Sequence, residues 1–270
     1  MNPAEAKAQT QPIDVPSLRE ADKEPEGIIS PLLDPFSTDL MVFWADMLND
    51  IEKARIMSTN RYGTYTSTDE KKGGHGLPKS LPSMKAIAAY NKDFKRFENF
   101  AVRELTRTMK DHPLYDWIME THGLGLKSTA RYLASVGGDP AWNNTEGRLR
   151  TVRELWSYSG LAVVDGAAPT RRRGTKLKWK TNARMRAWNI AEPIVKAGGP
   201  YRAYYDEARS KYDDAVHDRK CVRCGPSGNP ALEGSPLSPG HQHARGIRAV
   251  MKAVTKDMWR LSVDKHKELA

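Results

Sequence analysis

Cysteine is nearly absent from this 270-residue chain: only Cys221 and Cys224 occur, so a small disulfide scaffold is excluded. Long apolar runs are missing too. With no stretch of about 18 apolar residues, no helix of the chain is expected to span a bilayer, and no membrane partner is expected. The N-terminal MNPAEAKAQTQPIDVP lacks the basic-then-apolar layout of a secretory signal, so the sequence reads as cytoplasmic. Acid is missing from residues 171–186, whereas the first 40 residues hold eight acids against three bases. The formal net charge of +10 and pI near 9.5 therefore arise downstream of an acidic tail, and an excess of that size points to a polyanionic partner.

What is present reads as mostly α. Residues 1–37 carry six prolines and few large apolar side chains, which predicts a disordered acidic tail. From Ser37 or Thr38 as N-cap, Leu40, Phe43, Trp44, Met47, Leu48 and Ile51 recur at helical spacing and predict a helix near 38–56. Residues 58–82 are polar and punctuated by Gly and Pro, a long loop. Ile87, Tyr90, Phe94, Phe97, Ala101, Leu105 and Met109 then predict a long helix over 84–110, either an oligomer-forming seam or an ordinary core-packed face. Further helices are expected near 113–121, 126–137, 147–158, 181–197, 200–217 and 244–266. The expected organisation is the tail, N-terminal helices over 38–112, a helix-hairpin-helix and basic region over 113–200, and C-terminal helices with a Cys/His site over 201–270.

Between the helices at 113–121 and 126–137 lies His122-Gly123-Leu124-Gly125. Two glycines let the backbone reverse, and the following N–H groups, at the positive end of a helix dipole, form a phosphate site. Gly123 and Gly125, with Lys127, Ser128, Thr129 and Arg131 as added donors, are candidate DNA contacts; the alternative is an αα-hairpin whose glycines only permit packing. Arg171, Arg172, Arg173, Lys176, Lys178, Lys180, Arg184 and Arg186 place eight cations within sixteen residues. Leu177, Trp179, Met185 and Trp188 are interleaved. Alternation at 176–180 suggests a β-hairpin-like basic segment with three lysines on one face. Polyanion binding is expected, with a solvated face as the alternative and an anionic membrane surface a distant third.

Cys221-x-x-Cys224 precedes a Gly/Pro/Ser-rich connector and then His241-x-His243. Two thiolates and two imidazoles suit tetrahedral Zn²⁺ in a zinc-knuckle-like loop, with His217 able to replace either histidine. Free thiols and a redox pair are the alternatives. The redox pair fits less well because the cysteines follow a helix rather than start one.

From about Tyr90 to Leu261 the order of features resembles the C-terminal domain of the IS-one-ten insertion-sequence transposases, in a shortened variant of the kind associated with actinobacteria and their phages. The resemblance rests on HGLGLKSTARYLASVGGDPAWNN, the segment Leu-Trp-Ser-Tyr-Ser-Gly160-Leu-Ala, KWKTNARMRAWNIAEPIV, Tyr204-Tyr205 and HARGIRAVMKAVTKDMW. It implies a helical DNA-binding domain used in recombination. The family's nuclease-like domain has no counterpart in residues 1–90, and where its nucleophilic Ser should stand the chain reads Val163-Val164-Asp165-Gly166. Ser157 and Ser159 lack an evident base. The expectation is a non-enzymatic, nucleoid-associated accessory protein of a mobile element or phage, binding double-stranded or branched DNA and acting as a recombinase regulator or directionality factor. The alternatives are a transposase-like enzyme with a serine nucleophile, and a protein that chiefly binds a site-specific recombinase.

Overall fold

The computed structural model describes residues 35–164, 166, 168–171, 174–222, 224–225 and 229–269. Eight helices occur among them: α1 (Pro35–Thr66), α2 (Pro82–Arg107), α3 (Tyr115–Glu120), α4 (Leu126–Val136), α5 (Val152–Tyr158), α6 (Thr181–Ala197), α7 (Arg202–Lys211) and α8 (Pro239–Leu269). A two-stranded antiparallel hairpin joins α4 to α5, pairing β1 (Trp142–Asn143) with β2 (Arg148–Leu149). The chain is mostly helical, as expected. No described helix is long and apolar enough to cross a membrane.

Two expectations about the N-terminal helix are corrected. The acidic tail ends earlier than expected: α1 opens at Pro35, a residue tolerated in a first turn because its missing N–H has no helical partner there. The rest of the tail lies outside the described residues. At the other end α1 runs on to Thr66, through residues expected as loop. The returning segment explains this, because His75 N–H donates to Thr64 O at 3.2 Å and Leu77 N–H to Tyr65 O at 2.9 Å. Those bonds satisfy carbonyls that a helix end otherwise leaves open. His75 also stacks on Tyr65 at 4.5 Å.

The helix starts show local logic. Pro82 begins α2, and a capping box starts α5, where Thr151 Oγ1 accepts from Glu154 N–H at 3.3 Å and Thr151 N–H donates to Glu154 Oε2 at 2.7 Å. Gly137, at φ 96°, ends α4 in the left-handed region. One apolar core extends from Met41 on α1 to Val263 on α8, through Leu105, Leu133, Leu155, Ile190 and Val254. It runs through all the expected segments from 38 onward, so α1 packs on α2 and α4, α4 on α6, and α5, α6 and α7 on α8.

The basic segment does not form the β-hairpin expected of it. Among the described residues, 168–171 and 174–180 contain no strand; the hairpin lies at 142–149 instead. Tertiary anchoring takes the place of a ladder: Trp179 lies against Gly160, and Lys180 N–H donates to Tyr158 O at 2.8 Å.

Candidate metal centre and nucleic-acid interface

After α7 the chain runs outward through Ala215 and His217 to Cys221 and returns through Ala231 to Leu237 as a narrow antiparallel excursion. Its rungs are Cys221 with Ala231, in both directions at 2.9 Å, His217 N–H to Ser235 O at 2.8 Å, and Leu237 N–H to Ala215 O at 2.9 Å. Cys221 and Cys224 flank the turn at its tip, and Cys224 N–H reaches back to Cys221 O at 3.5 Å. The return limb leads into α8 and brings His241 back to the cysteines.

His217, Cys221, Cys224 and His241 thereby place one ligand atom each within 4.8 Å of one another. For a four-coordinate ion with the usual Zn–S and Zn–N bond lengths, ligand atoms sit roughly 3.3–3.8 Å apart. The cysteines are free thiols. Cys224 Sγ lies 3.4 Å from His241 Nδ1 and 3.1 Å from Ser238 Oγ. His217 gives the clearest test of fit. Its ring is buried, Nδ1 lies 2.9 Å from the Ser235 carbonyl, and Nε2 is buried with no hydrogen-bond partner among the described residues. An imidazole that donates from one nitrogen to a carbonyl, with the other nitrogen's lone pair directed at thiols, is arranged as a metal ligand. The group can hold a metal ion.

His243 is not part of it. Because Pro239 already starts α8, residues 241 and 243 lie about 200° apart around the helix and face opposite ways. His243 Nδ1 instead pairs with Tyr205 Oη at 2.8 Å, beside the Trp188 ring. The second imidazole comes from His217, on the outgoing limb.

The candidate DNA contacts divide into used and unused groups. Thr129 is fully buried, with Oγ1 bonded to Gly125 O at 3.0 Å, and Arg131 is buried against Glu52 of α1 at 2.7 Å. Lys127 also reaches Glu52, at 2.8 Å. Burial pushes the Glu52 carboxyl up, but hydrogen bonds from Arg131 and Lys127 outweigh it and hold the carboxyl below its usual range. Thr129 and Arg131 are thus corrected from phosphate contacts to fold contacts, because α1 closes over this side of α4. Arg186 is likewise buried beside Asn49, and burial, then the charge of Arg131, pulls it down to about 10.

Gly123 also has a packing role. At φ 83° it lies so close to α6 that an added Cβ would stand 2.7 Å from Ala197 Cβ and 3.2 Å from Ile194 Cα. His122 Nε2 fixes the same turn, 3.1 Å from Ala197 O. Gly125 remains exposed at the start of α4, with Ser128 half-buried beside it.

In the basic segment, Arg171, Lys176, Lys178 and Lys180 are exposed and have no carboxylate partner among the described residues. Arg184 is half-buried, and its Nη1 donates to Pro169 O at 2.7 Å. Arg172 and Arg173 lie outside the described residues. Ser159 is buried, 3.3 Å from Tyr132 Oη and without a histidine or carboxylate partner among the described residues. On the α1–α2 face, Leu40, Phe43, Met47, Tyr90, Phe97 and Phe100 remain exposed.

Comparison with protein-family models, curated proteins and solved structures finds no match for this chain.

Proposed function

We propose that the protein is a non-enzymatic DNA-binding accessory protein acting in recombination, which grips duplex or branched DNA by its phosphates. The observation that carries this reading is the set of four exposed cations, Arg171, Lys176, Lys178 and Lys180, on a segment tied to Tyr158 and Gly160 and without a carboxylate partner among the described residues. Solvated cations on an anchored segment release counterions when they meet phosphates, which yields affinity without base readout. Exposed Gly125 and the uncapped start of α4 supply a second, dipolar contact beside Ser128. The recombination role rests on the transposase-domain resemblance.

Zinc is the ion that the donor set favours, since two thiolates and two imidazoles select it over hard cations. When bound it ties the turn at Cys221 to the outgoing limb at His217 and to the start of α8 at His241. The role is structural.

Fluorescence anisotropy with a random-sequence duplex between 50 and 200 mM salt tests the binding. Salt-dependent binding with little sequence preference is expected; failure to bind linear or branched DNA at 50 mM salt ends the reading. A strand-cleavage assay on supercoiled DNA with Mg²⁺ tests the enzyme alternative, which buried Ser159 disfavours. A second reading, contact with a recombinase or a second copy of the chain as the primary role, is favoured by exposed Phe43, Phe97 and Phe100. Light scattering and a nuclease-treated pull-down against the recombinase separate it from the first.

A further inference from the structure

Arg245, Arg248 and Lys252 follow one another on α8 at spacings of three and four, so they share a helix face. All three are half-buried. None has an ion-pair partner among the described residues. Arg245 lies over the Tyr212 ring at 4.8 Å, and the Lys252 ammonium lies 4.3 Å from the Trp156 ring centroid. Arg248 donates through Nη2 to Leu161 O at 2.7 Å and Ala162 O at 2.8 Å.

The charge that reaches this corner is positive. Burial, then the charge of Arg184, pulls Arg248 down to about 10, and burial, then the charge of Arg248, lowers Lys252. Removing cations from water costs free energy unless an anion accompanies them, and like charges side by side add to that cost. Here the described residues supply carbonyls and aromatic faces but no carboxylate to Arg248 and Lys252. The amino end of α6 lies in the same corner, because Tyr158 O accepts from Lys180 N–H, Trp179 covers Gly160, and Arg248 holds the next two carbonyls. No side chain caps α6.

We propose that Arg248 and Lys252 form a phosphate-binding pocket, with the amino end of α6 beside them, that holds one phosphodiester of the nucleic acid approached by Lys176, Lys178 and Lys180. The pocket rests on the nucleic-acid reading above and adds to it a contact on α8, outside both the hairpin and the basic segment. Residues four apart on a helix stand about 5–6 Å apart at Cβ, a span that one tetrahedral phosphate can bridge. Arg248, whose Nη2 is held by the Leu161 and Ala162 carbonyls, would offer it the remaining N–H groups and its charge, and Lys252 a point charge.

Lys252→Met keeps an apolar stem over Trp156 while removing the charge, and Lys252→Arg restores the charge. Binding of a random-sequence duplex is measured by anisotropy from 50 to 200 mM salt, with melting temperature and zinc content as checks on the fold. Lys252→Met is expected to lower the magnitude of the log–log salt slope by about 0.9, a roughly threefold smaller loss of affinity over that interval, and Lys252→Arg to restore it. Acetylation of Lys252, read by mass spectrometry, is expected to be blocked by duplex and only weakly by millimolar pyrophosphate. If duplex binding is salt-dependent but the slope of Lys252→Met and the acetylation of Lys252 are unchanged, the pocket is overturned while the DNA-binding reading stands. If no duplex binds and pyrophosphate alone protects Lys252, both are overturned and the pocket belongs to a free phosphate.

Discussion

Replacing Lys176, Lys178 and Lys180 together with alanine tests the interface at the point where the chain offers most uncompensated charge. All three side chains are exposed, none has a carboxylate partner among the described residues, and Lys180, at the N-cap position of α6, makes no side-chain capping bond. Truncating them should therefore leave stability within about 0.5 kcal/mol, while Leu177 and Trp179 keep the segment anchored. If each lysine meets a phosphate, the slope of log affinity against log salt falls in magnitude by about 2.7, at ~0.9 per contact. Raising salt fourfold, from 50 to 200 mM, should then cost the native chain roughly 40-fold more affinity than the variant. Loss of net charge alone would act wherever the lysines lie. The control is Lys79→Ala, Lys85→Ala and Lys92→Ala, three exposed positions before and on α2, which should leave the slope nearly unchanged. Anisotropy titrations at four salt concentrations give both slopes, and equal slopes for the two triple variants would refute a localised interface at 176–180.

Metal analysis of protein purified without chelator should find about one zinc per chain; Cys224→Ser or His217→Ala should lose it and His243→Ala should keep it. Gly123→Ala should cost about 1–3 kcal/mol, since φ is 83° and the new Cβ would meet Ala197, whereas Gly125→Ala, at φ −89° with its nearest neighbour 3.8 Å away, should cost little; thermal melts compare them. His112 supplies a pH dependence. Buried Nε2 lies 3.2 Å from Gly138 O and Nδ1 accepts from Leu114 N–H at 3.1 Å, so only the neutral ring satisfies both, and burial lowers its affinity for a proton. The unfolded chain then binds a proton that the folded one refuses, so stability is full above the usual histidine value of 6.5 and falls as pH drops below it, by up to about 1.4 kcal/mol per pH unit. Urea denaturation at pH 7.5 and 5.5 should show this, and a slope unchanged in His112→Phe would overturn the assignment.

Helices were legible where apolar spacing set them, as at Ala101 and Leu105 of α2, both buried as expected. The spacing did not determine which way a broad face turns. On α1 the expected stripe holds in part: Leu48 is buried and Trp44 and Ile51 pack on the core, but Leu40, Phe43 and Met47 are exposed, while Met41 and Ala45, outside the stripe, are buried. Choosing between neighbouring stripes requires the positions of α2 and α4, which are tertiary facts. The hairpin shows the same limit. Its glycines and cations were visible, but Glu52, which takes Lys127 and Arg131, lies 75 residues or more away in sequence. The Cys/His group was legible in its donors and misread in one ligand. The missing signal was available, since a helix starting before His241 forbids His243 from sharing its ion.

The metal group also makes sense of a lobe that apolar burial cannot hold. Among the described residues from Tyr212 to Ser238, Leu237 is the one buried apolar side chain, while Val216, Val222 and Leu232 are 49%, 78% and 68% exposed. Two isolated bridges join its limbs. A segment with so little core requires another source of order, and an ion held by the four ligand side chains of the outgoing limb, the turn and the first turn of α8 would supply one. Such an ion would fix the approach to α8. His241 stands four residues before Arg245, on the helix whose Ile247, Val250 and Met251 enter the main core and whose Arg248 and Lys252 have no ion-pair partner among the described residues. With Glu52 of α1 taken by Lys127 and Arg131 of α4, and with Arg245, Arg248 and Lys252 of α8 lacking an ion-pair partner among the described residues, the cations of α8 and of the basic segment meet beside the amino end of α6. His241 lies on the same helix as the α8 cations, so an ion held there would steady the start of the element that carries them.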